Sequence, residues 1–65
     1  MRSDQYQELV VYLDGVVSGA VGMSEAQAAR TLVVIEDNRD IQHWRPLRVL
    51  YARAREKAEP TWQKW

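Results

Sequence analysis

The sequence contains no cysteine and a single histidine, His43. Without cysteine, disulfides, thiolate metal sites and thiol chemistry are excluded. Nucleophilic catalysis needs an activated side chain beside a base. Ser3, Ser18 and Ser24 have no candidate base near them, and they stand where helix caps and ends are expected. Glycine is scarce, and Gly15, Gly19 and Gly22 match no phosphate-binding fingerprint. The acidic stretch from Glu36 to Asp40 holds no glycine and has Arg39 inside it, so it lacks the turn and alternating ligands of a calcium loop. Long apolar runs are missing as well. The longest, Leu9 to Leu13, is closed by Asp14 and is far shorter than the roughly 20 residues that cross a bilayer. Met1 and Arg2 are followed by polar Ser3, Asp4 and Gln5, which is not a secretory-signal pattern. The expectation is a non-catalytic protein with no metal, no cofactor and no membrane span, located in the cytoplasm.

What is present fits one domain of 65 residues. A domain of this size buries about 60% of the surface of its unfolded chain, and its core supplies roughly 3–5 kcal/mol of stability. A partner subunit is one common supplement. Net charge is zero but unevenly placed: residues 1–40 hold seven acids and three bases, and residues 41–65 hold six bases and two acids. Such asymmetry marks either a nucleic-acid face or two ends that attract each other, within one chain or across a dimer.

The periodicity predicts an all-α fold, a small three-helix bundle with helices at about 4–18, 24–36 and 45–58 and a short aromatic tail at 60–65. Tyr6, Leu9, Val10, Leu13, Val16, Val17 and Ala20 recur at the spacing of one helical stripe. Ser3 or Asp4 is the expected N-cap, and Gly19 or Gly22 the left-handed C-terminus. Gly15 and Gly19 share a face that another backbone could approach. Val11 and Tyr12 lie off the stripe, so the first helix is apolar on more than one side, which suggests burial by more than one neighbour. This points to a homodimer through the first helix, with Val10, Leu13 and Val17 at the interface. Ser24 and Gln27 have capping-box spacing, with Met23 placed as a hydrophobic staple. Thr31 to Ile35 is a β-branched run suited to a strand, but no second strand is available to pair with it, so helix is expected. Leu47, Leu50, Tyr51 and Ala54 form the stripe of the third helix. That helix begins near Pro46 or is kinked there, and Pro60 ends it.

Two features carry functional readings. The first is basic and aromatic: Arg48, Arg55, Trp62, Lys64 and Trp65, with Tyr12 outlying, form the expected surface for a protein partner, since Trp and Arg are enriched at binding hot spots. The competing expectation for Trp62 and Trp65 is that they fold back over the flank of the first helix. The second feature is Ala28-Ala29-Arg30-Thr31-Leu32-Val33-Val34, followed by Ile41-Gln42-His43-Trp44. It resembles a helix-turn-helix, with Val33 in place of the tight-turn glycine. That resemblance implies a DNA-binding regulator contacting phosphates through Arg39, Arg45 and Arg48. The favoured reading is a small adaptor, inhibitor or regulatory module that binds a larger macromolecule; the alternative is the DNA-binding regulator.

Overall fold

Capping signals decide where each helix starts and stops. In the computed structural model, which describes residues 2–62, α1 spans Ser3–Ser18, α2 Glu25–Asp37 and α3 Trp44–Ala58, and a 3-10 turn follows at Glu59–Thr61. No strand occurs among the described residues, and Thr31 to Ile35 belongs to α2. The N-cap of α1 is Arg2, one residue ahead of the expected Ser3 or Asp4. The Gln5 amide oxygen reaches back to accept from the Arg2 N–H at 3.3 Å, and Asp4 lies in the first turn, where the helix dipole favours an acid. Ser24 and Gln27 form the reciprocal capping box, with bonds of 3.1 and 2.9 Å. Met23 and Ala28, at the two staple positions, are both buried. Pro46 falls in the first turn of α3, where its missing N–H leaves no intrahelical bond unmade. Pro60 sits in the 3-10 turn.

The end of α1 is a Schellman motif. Gly19 takes φ +86, its N–H donates to the Val16 carbonyl, and the Ala20 N–H donates to the Gly15 carbonyl. The turn folds Val21 back, so that a Cβ on Gly15 would stand 2.9 Å from Val21 Cγ2. The neighbour that approaches Gly15 is therefore this side chain and not a second helix. Two opposing effects are expected in Gly15→Ala: about 1 kcal/mol gained from helix propensity, and a similar loss from displacing a stiff β-branched side chain. The single variant should be near neutral. Gly15→Ala combined with Val21→Ala should be about 1 kcal/mol more stable than Val21→Ala alone, a coupling that a double-mutant cycle in urea reads directly.

α3 holds the bundle together, packing on both α1 and α2 and most extensively on α1. α1 and α3 run in the same direction. Tyr6 meets His43 at one end, with ring centroids 5.2 Å apart, and Val16 and Gly19 lie beside Ala58 and Thr61 at the other. Leu13, Ile35, Leu47 and Val16 are the largest fully enclosed side chains, with Tyr51 beside them. Ala28, Ala54 and Ala58 keep the helices close. The buried Thr31 hydroxyl is satisfied by the Gln27 carbonyl at 2.8 Å. No helix among the described residues is long and apolar enough to cross a membrane.

Candidate interaction surface

The expected partner surface is divided by the fold. Lys64 and Trp65 lie outside the described residues. Trp62 is half-buried, packs against the core and donates its indole N–H to the Met23 carbonyl at 2.8 Å. It therefore closes onto the connection between α1 and α2. The Arg55 guanidinium stands 5.9 Å from the Trp62 ring centroid and pairs with Glu59 at 3.7 Å. Trp62 and Arg55 thus act together as a cover for the lower end of the bundle.

Arg39, Arg45 and Arg48 gather around the start of α3. Arg39 and Arg48 each place a guanidinium over Trp44, 5.8 and 5.7 Å from its centroid. Arg48 also binds the Glu36 carboxylate at 2.7 Å, so its charge is paired across α2 and α3. Ile41, Gln42 and His43 form turns instead of the opening of a recognition helix, and only Trp44 enters α3. The segment 36–48 balances these three arginines with Glu36, Asp37 and Asp40. Arg45 is exposed on the outer side of α3.

Leu13 is fully enclosed in the chain's own core and has no surface for a second copy. Its position at the centre of the α1 stripe is what buries it, because α3 already covers that line. Val10 and Val17 are half-buried on the flank of α1 opposite Tyr12. The remaining serines are engaged locally: the Ser18 hydroxyl donates to the Gly15 carbonyl at 3.0 Å, and Ser24 caps α2.

Two shallow apolar grooves flank Tyr12, one between α1 and α2 and one on α1 alone. The first is lined by Gln5, Glu8, Leu9, Tyr12 and Val34. The second, sharing Glu8 and Tyr12, is lined by Asp4, Gln7 and Val11. Val11 is 63% and Val34 42% exposed. The Tyr12 hydroxyl is shut off from solvent with no hydrogen-bond partner among the described residues, and this burial raises the phenol above its usual pKa of 10.0. Asp4 and Glu8 make the rim acidic. Val11 was legible as an off-stripe apolar residue; Val34 was not, because a β-branched run gives no clue to which of its members faces out.

No family model, curated protein or solved structure matches the chain.

Proposed function

We propose that the protein is a non-catalytic, cytoplasmic interaction module. Its partner surface is the α1–α2 face built on Val11, Tyr12 and Val34. The observation that carries this reading is the pair of grooves that share Tyr12, one lined by Val11, 63% exposed, and the other by Val34, 42% exposed. An apolar surface with a polar rim is the usual form of a protein-binding site, and Tyr12 adds the large apolar body of its ring. The acidic rim, Asp4 and Glu8, suits a partner with basic residues around an apolar centre. The partner-binding role expected of Trp62 and Arg55 is less well supported, since both are engaged in closing the bundle. A homodimer through Val10 and Val17 would leave the α1–α2 face open.

The DNA-binding alternative, through Arg39, Arg45 and Arg48, has weaker support. Arg48 is ion-paired, and three acids share the segment, so phosphate attraction is offset locally.

Photo-crosslinking tests both readings. A benzoylphenylalanine in place of Val11 should give one discrete adduct with another protein in host cells, lost on Val34→Asp. The same probe at Arg45 should not give that adduct. Equal labelling from both positions would sink the proposed surface. Tight binding of duplex DNA at about 50 mM salt, falling by orders of magnitude at about 200 mM, would put the alternative first.

A further inference from the structure

A second groove runs between α1 and α3, lined by Tyr6 and Val10 on one side and by Pro46, Val49, Leu50 and Arg53 on the other. Val49 is 55% exposed. One turn beyond Val10 stands Asp14, and one turn beyond Val49 stands Arg53, both exposed. The two walls differ in charge. On the flank beside the groove α1 carries one acid, Asp14, and no base, whereas Asp4 and Glu8 line the grooves of its other side. On the facing flank α3 carries Arg53 and, one turn on, Lys57, while Arg48 and Arg55 stand on its other flank, paired with Glu36 and Glu59. Yet no ion pair joins α1 to α3 among the described residues; the three present are Arg2–Asp4, Arg48–Glu36 and Arg55–Glu59.

We propose that this groove is a two-fold interface between copies of the chain, in which Asp14 pairs with Arg53 of the partner subunit and Val10 and Val49 are covered. A groove with one acidic and one basic wall is self-complementary under a two-fold rotation, because each wall then meets the opposite wall of the other copy. The interface retains the Val10 flank of α1 and replaces Leu13, which is enclosed, with Val49 of α3. It is a separate surface from the one assigned to a different protein above, and each stands or falls by its own measurement.

Charge reversal with mixing tests the symmetry. Sedimentation equilibrium of the full chain at low salt should give a mass twice the 7.6 kDa of one copy. Asp14→Arg and Arg53→Asp should each weaken the dimer by about tenfold or more, since every pair in a two-fold contact is broken twice. An equimolar mixture of the two variants should re-associate, because both reversed pairs become attractive in the mixed dimer. Val49→Asp should give a monomer, and helical circular dichroism should be unchanged throughout. A wild-type chain that stays at 7.6 kDa up to millimolar concentration would overturn the proposal. So would a dimer indifferent to all three substitutions, or folded single variants that fail to re-associate when mixed.

Discussion

Leu47→Ala should leave most molecules unfolded at 25 °C. Leu47 is 1% exposed and lies on α3, the helix that packs against both others. Truncating an enclosed leucine costs about 2–5 kcal/mol in lost transfer energy and unfilled cavity. The whole domain has roughly 3–5 kcal/mol available, so the loss matches the total. The cost should fall at the upper end of its range, because Pro46 and the first turn of α3 limit how far the backbone can collapse into the space. Leu50→Ala, on the same helix but only half-buried at the groove, should cost about 1–2 kcal/mol and remain folded. Urea titrations followed by circular dichroism distinguish the two. Equal midpoints would mean that Leu47 is no more enclosed than Leu50, and the core described for α3 would be wrong.

Trp62→Ala should lower the melting temperature by roughly 8–16 °C, corresponding to about 2 kcal/mol in a domain of this size. The substitution removes a half-buried indole from the core edge and its bond to the Met23 carbonyl, which links residues 39 positions apart. Trp62→Phe keeps most of the packing and loses the bond, so it should cost about 1 kcal/mol. The graded series is diagnostic. A side chain serving only a binding partner would show no change in melting for either variant, and the closure described for Trp62 would then be wrong.

These expectations show which parts of the molecule were legible in the sequence. The α2 start was readable because Ser24 and Gln27 sit three apart and exchange bonds locally. The α1 end was readable because Gly19 tolerates the left-handed conformation that a Schellman motif requires. The candidate site was legible only in part. Tyr12 and Val11 stood out as apolar residues off the stripe, whereas Trp62 has the same composition signal as an interface anchor and as a core cover. Only the position of the Met23 carbonyl separates those two roles. Likewise, Arg48 reads as a phosphate contact in one dimension and as the ion-pair partner of Glu36 in three.

The sequence by itself determined the helices, their boundaries to within a residue or so, and the lack of a strand partner for Thr31 to Ile35, because caps, glycine conformation and 3.6-residue periodicity act over a few neighbouring positions. The tertiary structure decided which flank of each helix is covered. It enclosed Leu13, opened Val34 and Val49, and brought Trp62 to Met23. Those outcomes depend on how the helices rotate and diverge against α3, and that arrangement minimises exposed area over the whole chain instead of over any local segment.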